Sequence, residues 1–183
     1  MKKALLIIDI QNDYFAGGKM ELHKPLEAAQ QAKEVLTWFR DKEYPIFHIQ
    51  HFSNRSDATF FLPNTKGAEI HDLVLPKKMK EEVIIKHFPN SFLETDLLNK
   101  LREKKVEELV IIGMMTHMCI DATIRAAKDI GFKCILIEDA CTTKELKVQD
   151  QIVPPEHVHF AFVAALNGYY SNVSTTKEFL LHH

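Results

Sequence analysis

The stretch Leu109-Val-Ile-Ile-Gly113-Met-Met-Thr-His-Met-Cys119 decides the fold. Its first four residues are apolar, as in a buried strand, and a turn follows at the glycine. A helical pattern begins at Thr116 and continues to Asp129, where Gly131 supplies a natural C-cap. A buried strand that passes through a short turn into a helix is the repeating unit of α/β proteins.

The same patterns recur along the chain. Apolar runs of strand length occupy residues 4–8, 45–50, 83–86, 109–112, 134–137 and, more weakly, 169–173. Several runs are continuous rather than alternating, which is typical of parallel strands covered on both faces. Helical patterns lie between most of them, at residues 26–40, 95–102, 116–129 and from 154 onward. This alternation predicts an α/β fold with an open, doubly wound (Rossmann-like) parallel sheet and helices on both faces.

Length and charge exclude several classes of protein. The 183 residues predict one domain over 1–183, and a formal net charge of −2 argues against a nucleic-acid partner. No apolar run approaches the roughly 18 residues of a membrane span, and the N-terminal run stops at Asp9, so we expect neither a span nor a signal peptide. Three cysteines without a zinc spacing predict reduced thiols and a cytoplasmic location. We assign no function to His182 and His183.

Chemistry-bearing side chains follow three of the predicted strands. Asp9 follows the first strand, Lys86 ends the third, and Cys119 lies just past the fourth. Ligands of open α/β sheets bind at the carboxyl ends of the strands. A carboxylate after an apolar strand is partly desolvated and suits proton transfer, although Asp9 could equally be a turn residue. A buried lysine needs a partner such as Asp9, and the alternative is an exposed lysine at the strand end.

Cys119 is the most specific of these side chains. It lies in the first turn of a helix, where backbone N–H groups are unpaired and the helix dipole favours an anion. Both effects favour the thiolate over the thiol, and the same N–H groups can form an oxyanion hole. Cys134 lies within an apolar strand and is expected to be a packing residue. Cys141 follows a strand end and is more ambiguous.

Four motifs occur in order at the predicted strand ends. They are Leu-Ile-Ile-Asp9-Ile-Gln11-Asn-Asp-Tyr14-Phe15, Lys86-His-Phe-Pro-Asn-Ser91-Phe92, Gly113-Met-Met-Thr116-His-Met-Cys119 and Glu138-Asp139-Ala140-Cys141. Together they make nearly the whole chain resemble the isochorismatase-like cysteine hydrolase superfamily. That group includes nicotinamidases, N-carbamoylsarcosine amidohydrolases, ureidoacrylate and biuret hydrolases, and isochorismatases proper.

The resemblance implies a catalytic triad of Asp9, Lys86 and Cys119. It also implies a cis peptide between Met114 and Met115, with the backbone amides of Met115 and Cys119 as oxyanion donors. The implied fold is a six-stranded parallel sheet in the order 3-2-1-4-5-6. Members of the superfamily are often dimers or tetramers, so we expect a homodimer or homotetramer.

Two departures from the superfamily patterns narrow the function. Isochorismatases proper typically lack the nucleophilic cysteine, so Cys119 disfavours that activity. Nicotinamidases usually carry a metal-binding Asp-x-His after the second strand, and the matching stretch here has no aspartate. His48, His51 and His71 are the candidate ligands, but strand positions three apart face opposite ways, so His48 and His51 are expected to diverge. We therefore expect no metal and no cofactor.

The prediction is a cysteine hydrolase that cleaves a C–N bond of a small amide, ureido or imide compound through a thioester. The expected substrate-binding residues are Gln11, Tyr14, Phe15, His51, Phe60 and His117. The long aperiodic segment 52–80 is expected to be either functional or disordered. Its apolar run at 59–63 is expected to fill the core or a subunit interface, or else to line the pocket. Two alternatives stay open: isochorismatase-type hydrolysis, and a non-catalytic or redox-responsive binding protein whose thiol is oxidised.

Overall fold

A computed structural model of the chain describes residues 1–182 and shows a six-stranded parallel sheet between two layers of helices. The strands are β1 (Lys3–Ile8), β2 (Ile46–His51), β3 (Glu82–Lys86), β4 (Glu108–Met114), β5 (Lys133–Thr142), β6 (Leu146–Val148), β7 (Gln151–Val153) and β8 (Asn172–Ser174). The helices are α1 (Pro25–Asp41), α2 (Leu97–Glu103), α3 (Asp121–Asp129), α4 (Pro155–Leu166) and α5 (Thr176–His182). His183 lies outside the described residues.

The sheet order is β3-β2-β1-β4-β5-β8, and every pair in it is parallel. This order confirms the predicted 3-2-1-4-5-6 arrangement, because β6 and β7 form a separate antiparallel hairpin before the last sheet strand. The sequence pattern missed that hairpin, since its two strands have three residues each and are mostly exposed. The sixth sheet strand is Asn172–Ser174, whereas the sequence predicted 169–173. Tyr169 and Tyr170 precede the strand, and their rings pack on each other with centroids 4.9 Å apart.

Strands with continuous apolar runs contribute side chains to two hydrophobic cores, one on each face of the sheet. Alternate residues of β1 face opposite ways, so that Leu5 and Ile7 pack towards α1 and α5 while Leu6 and Ile8 pack towards the other helical layer. Full burial of each such side chain stabilises the fold by roughly 1.5–3 kcal/mol. Within residues 1–182, no helix is long and apolar enough to cross a membrane.

The predicted helix after β4 begins differently from the expectation. Residues Thr116–Ile120 form a π-helical turn, in which the N–H of Ile120 donates to the carbonyl of Met115, and α3 follows it. Cys119 therefore lies in a π turn rather than in the first turn of an α-helix. Such turns are rare and often occur at functional sites. The peptide between Met114 and Met115 is cis, as the resemblance implied.

Candidate active site

Three strand ends bring the predicted triad residues together. Asp9 directly follows β1 and adopts a left-handed backbone conformation (φ 52°), which aspartate tolerates better than most residues. Lys86 ends β3 and is paired in register with His51 of β2, so its long side chain crosses the end of β2 to reach β1. Cys119 enters from the π turn after β4, which is the other neighbour of β1.

The three side chains meet in the protein interior. The Lys86 Nζ atom lies 2.7 Å from Asp9 Oδ2 and 3.2 Å from Cys119 Sγ. Asp9 and Lys86 are fully buried, and Cys119 is 5% exposed. A carboxylate, an ammonium group and a thiol are thus in mutual reach, which is the arrangement needed to move a proton from sulfur to a carboxylate.

Burial changes the proton affinity of the thiol in the direction opposite to that expected from a helix N-terminus. Desolvation and the neighbouring Asp9 carboxylate raise the pKa of Cys119, and the Lys86 ammonium only partly offsets them. Burial alone would lower the pKa of Lys86, but attraction to Asp9 and Cys119 outweighs it, so the pKa is raised. Both shifts favour a neutral thiol beside a charged lysine.

Lys86 is held by more than the triad. Its Nζ atom also lies 3.0 Å from the carbonyl of Phe88, 3.3 Å from that of Pro89 and 3.2 Å from His51 Nδ1. An ammonium group has three donors, and here it has polar partners on every side. These contacts explain how a fully buried lysine keeps its charge, since a buried cation without partners is costly.

His51 is a neutral neighbour of the triad. Burial lowers the pKa of His51 to about 4. Because Lys86 only donates, the Nδ1 atom of His51 accepts, and the ring proton of the neutral form is on Nε2. Asp9, His51 and Cys119 are the described residues whose side-chain atoms cluster as metal ligands would, within 4.8 Å of one another. The Lys86 ammonium lies in contact with all three and supplies the positive charge at that point.

The other candidate metal ligands lie elsewhere. His48 Nε2 lies 2.9 Å from a Glu81 carboxylate oxygen, and the His71 ring stacks on Phe15 with centroids 3.7 Å apart. His48 and His51 therefore serve different sites, as their strand spacing predicted.

A cavity of about 260 Å³ opens above the thiol. Of the predicted substrate-binding residues, Tyr14, His51 and Phe60 line it. Phe61 also lines it while being 1% exposed, so the apolar run at 59–63 both fills the core and faces the pocket. The remaining wall contains Phe88, Pro89, Met115, Met118 and residues of the segment 53–59. The cavity wall is mostly apolar and aromatic, with the thiol at its base. It also includes polar side chains, namely Ser53, Asn54, Arg55, Asp57, Thr59 and His87.

Comparison with known proteins gives the family. Residues 3–178 match the Isochorismatase domain. The chain belongs to the isochorismatase family. It is 57% identical over 180 residues to the isochorismatase family protein YddQ of Bacillus subtilis, covering 98% of this chain and 99% of that one. The crystal structure of a putative isochorismatase hydrolase from Oleispira antarctica superposes with a TM-score of 0.93 at 43% identity, covering 98% and 96% of the two chains.

A more distant relative has a named reaction. The nicotinamidase of Escherichia coli is 23% identical over 184 residues, which cover 81% of this chain and 86% of that one. The predicted resemblance is thereby confirmed, and this isochorismatase-family member is a hydrolase by its family.

Three predicted substrate-binding residues of this family member lie outside the cavity wall. Gln11 is fully buried, and its side chain donates to the carbonyl of His51 at 2.9 Å and accepts from the His51 N–H at 2.8 Å. Phe15 stacks on His71. His117 hydrogen-bonds Thr143 and packs edge-on against Phe162 of α4. Gln11 thus positions the strand end that carries His51. Phe15 contacts the segment 52–80 through His71, and His117 contacts Thr143 and α4.

Asp13 is a buried residue near the site that the sequence analysis did not name. Asp13 lies inside the first motif, but a carboxylate in a turn is usually solvent-exposed, so the sequence gives no reason to assign it a role. Its side chain is buried and accepts hydrogen bonds from two backbone N–H groups, of Lys19 and of Phe61. The pairing of Asp13 with a residue 48 positions away leaves no local signal in the sequence.

Proposed function

We propose that this isochorismatase-family hydrolase cleaves a C–N bond of a small amide, ureido or imide compound through a thioester formed on Cys119. One observation carries the proposal. A buried thiol, ammonium and carboxylate meet at the base of a mostly apolar cavity, with Lys86 Nζ 2.7 Å from Asp9 and 3.2 Å from Cys119. A binding protein has no need of this costly buried set of charges.

Acylation begins with the neutral thiol. Asp9 takes the proton from Sγ as the sulfur attacks the substrate carbonyl carbon, and the C=O π electrons move to oxygen. Lys86 stabilises both the thiolate and the orientation of Asp9. We assign the oxyanion hole to the backbone N–H groups of Met115 and Cys119, both of which belong to residues of the cavity wall. Preorganised donors of this kind typically contribute about 10²–10³-fold each to the rate.

Collapse of the tetrahedral intermediate breaks the C–N bond. Asp9 returns its proton to the departing nitrogen, which leaves as ammonia or an amine, and the acyl group stays on sulfur. Water then attacks the thioester carbon while Asp9 takes one of its protons. The second collapse breaks the C–S bond, releases the acid and returns the proton from Asp9 to the sulfur. The carboxylate thus acts alternately as base and acid, which is typical of one group serving both half-reactions.

The cavity favours a small, uncharged substrate. Tyr14 and Phe60 supply aromatic surface, and His51 is neutral because its pKa is about 4. The two charged residues of the wall, Arg55 and Asp57, pair with each other at 2.7 Å, so a charged substrate group would lose its water without gaining a free counter-ion. The named reaction of the E. coli relative, a nicotinamidase, also concerns a small amide, which supports this class of substrate.

The test is a panel of small amides and ureides with ammonia release as the readout. The wild type is expected to hydrolyse at least one compound, and Cys119→Ala is expected to abolish turnover of that compound. Cys134→Ala is the matched control, since that buried cysteine lies in β5, outside the cavity wall.

Two results would contradict the proposal. One is full activity of Cys119→Ala towards a compound that the wild type hydrolyses. The other is loss of a pyruvyl group from isochorismate that persists in the same variant, because vinyl-ether hydrolysis does not need the thiol. Trapping of an acyl group on Cys119 by rapid quenching and mass spectrometry would support the thioester directly.

A further inference from the structure

Half of the residues that line the cavity come from one loop, residues 53–61. The ends of this loop are joined by a backbone hydrogen bond, in which the N–H of Ser53 donates to the carbonyl of Phe61 at 2.9 Å. Compact loops with paired ends often carry function. The position of Phe61 therefore decides where the whole loop lies over Cys119.

Phe61 is held in an unusual conformation. Its φ is 55°, in the left-handed region that bulky residues rarely adopt. Its ring packs on Tyr14 with centroids 4.6 Å apart and lies 5.8 Å from the His51 ring. Strained backbone at a functional site persists only where the surroundings enforce it.

The enforcing contact comes from Asp13. Its Oδ2 accepts from the N–H of Phe61 at 2.7 Å, and its Oδ1 accepts from the N–H of Lys19 at 3.1 Å. The carboxylate is 4% exposed, and a Cβ on Gly67 would lie 2.1 Å from Oδ1, so Gly67 leaves the space that Asp13 fills. Among residues 1–182, the carboxylate is satisfied by backbone amides and by no side-chain cation.

A second cavity lies behind the loop. It measures about 380 Å³, and its wall includes Asp13, Thr59, Leu62 and Gly67. Thr59 lines both this cavity and the one above the thiol. The loop therefore has space on both sides at Thr59. Next to this point, the hydrogen bond from Phe61 to Asp13 fixes the loop backbone.

We propose that Asp13 is a positioning residue that fixes the aromatic wall of the active site through the backbone of Phe61, and so determines which substrates fit above Cys119. This inference rests on the proposed hydrolytic function of the site. Asp13 and Tyr14 are adjacent in sequence, so one holds the Phe61 backbone while the other packs on its ring. Asp13 touches no reacting atom, so it acts on substrate binding and not on the chemical step.

The first test is Asp13→Asn, compared with Asn12→Ala. The side-chain oxygen of asparagine can accept a hydrogen bond from one of the two N–H groups. Its NH₂ group then faces the other N–H, and two donors cannot form a hydrogen bond. The control changes the same turn at a side chain that donates to the carbonyl of Lys66 and not to Asp13 or Phe61. We expect Asp13→Asn to raise KM about tenfold, as for one lost hydrogen bond, with kcat changed by less than about threefold. Asn12→Ala is expected to leave both parameters unchanged.

A second readout needs no substrate. Site-resolved mass spectrometry measures how fast a bulky maleimide labels Cys119 in the folded protein. If Asp13 holds the wall closed, Asp13→Asn labels several-fold faster than wild type, and Asn12→Ala labels at the wild-type rate. Faster labelling without turnover by any variant, wild type included, would support the positioning role while contradicting the proposed reaction.

A double-mutant cycle tests whether Asp13 acts through Phe61. Phe61→Ala is expected to raise KM by itself, and Asp13→Asn is expected to add nothing to it, since coupled residues are non-additive. If Asp13→Asn does not fold, Phe61→Ala alone must still raise KM at unchanged kcat. Unchanged KM and labelling in a folded Asp13→Asn variant, equal effects of Asn12→Ala, or full additivity in the cycle would each overturn the inference.

Discussion

Removal of the Lys86 ammonium by Lys86→Met is expected to be strongly destabilising. Methionine keeps most of the volume of the side chain, but it leaves Asp9 without its partner at 2.7 Å. Both side chains are fully buried, so water cannot replace the lost charge. Removal of one member of a buried ion pair typically costs about 3–5 kcal/mol. The total stability of a domain is about 5–15 kcal/mol, so the variant is expected to stay folded with a reduced margin.

Urea unfolding measures this loss, with the single tryptophan as a fluorescent probe. At a slope of about 2 kcal/mol per molar urea, the midpoint is expected to fall by about 1.5–2.5 M. Lys100→Met is the control, since that lysine pairs with Glu82 at the surface and such pairs contribute at most about 1 kcal/mol.

The double variant Asp9→Asn with Lys86→Met completes the test. Removal of both charges leaves no unpaired ion. The double variant should therefore lose about 1–3 kcal/mol less free energy of unfolding than the two single variants lose together. Its activity should nevertheless be lost, because no base remains for the thiol. A loss under 1 kcal/mol for Lys86→Met, or additive effects of the two substitutions, would refute the reasoning from the buried pair.

Two further predictions concern His51, which lines the cavity and accepts from Lys86 through Nδ1. Glutamine places an amide donor where Nε2–H lies, while asparagine places an acceptor where Nδ1 lies. We expect His51→Gln to keep KM within about threefold and His51→Asn to raise KM about tenfold, because the Nε2–H donor is expected to face the substrate. The reverse order would show that the contact of Nδ1 with Lys86 matters more for substrate binding than the Nε2–H donor. The second prediction concerns pH. The pKa of His51 is about 4 in the folded chain and near 6.5 when unfolded, so unfolding takes up a proton in that interval. Stability is expected to fall as the pH falls from about 6.5 to 4, and His51→Gln should lose less over the same interval by urea unfolding.

The proximity of Asp9, Lys86 and Cys119 could be predicted because each stands at or just after the end of a strand pattern. Asp9, Lys86 and Cys119 stand where strand patterns end, and parallel strands end at the same edge of a sheet. Burial on both faces also explains why β1, β4 and the first half of β5 were readable as continuous apolar runs. The assembly of the chain, its location in the cell and the roles of the site residues stay predictions.

The cavity wall was harder to predict, because the residues that form it show no helical or strand periodicity in the sequence. The segment 52–80 holds only two short 3₁₀ turns, and its position is set by single hydrogen bonds to distant residues, such as Asp13 to Phe61. His117 illustrates the same limit. It is two residues from Cys119 in sequence, yet the π turn directs it to Thr143 and away from the cavity.

Gly113 connects the strand pattern to the site geometry. It has a φ of +131° and faces Ile8 across the β1–β4 ladder, where an added Cβ would lie 2.0 Å from the Ile8 carbonyl oxygen. The ladder between β4 and β5 also shifts register between Ile111 and Gly113. Because Gly113 has no side chain, the backbone of β4 can approach the backbone of β1 closely at Ile8. Asp9 directly follows Ile8, so this approach places the start of the π turn, and with it Cys119, beside Asp9. The glycine at which the sequence predicts a turn is therefore the residue whose missing side chain lets Cys119 lie beside Asp9.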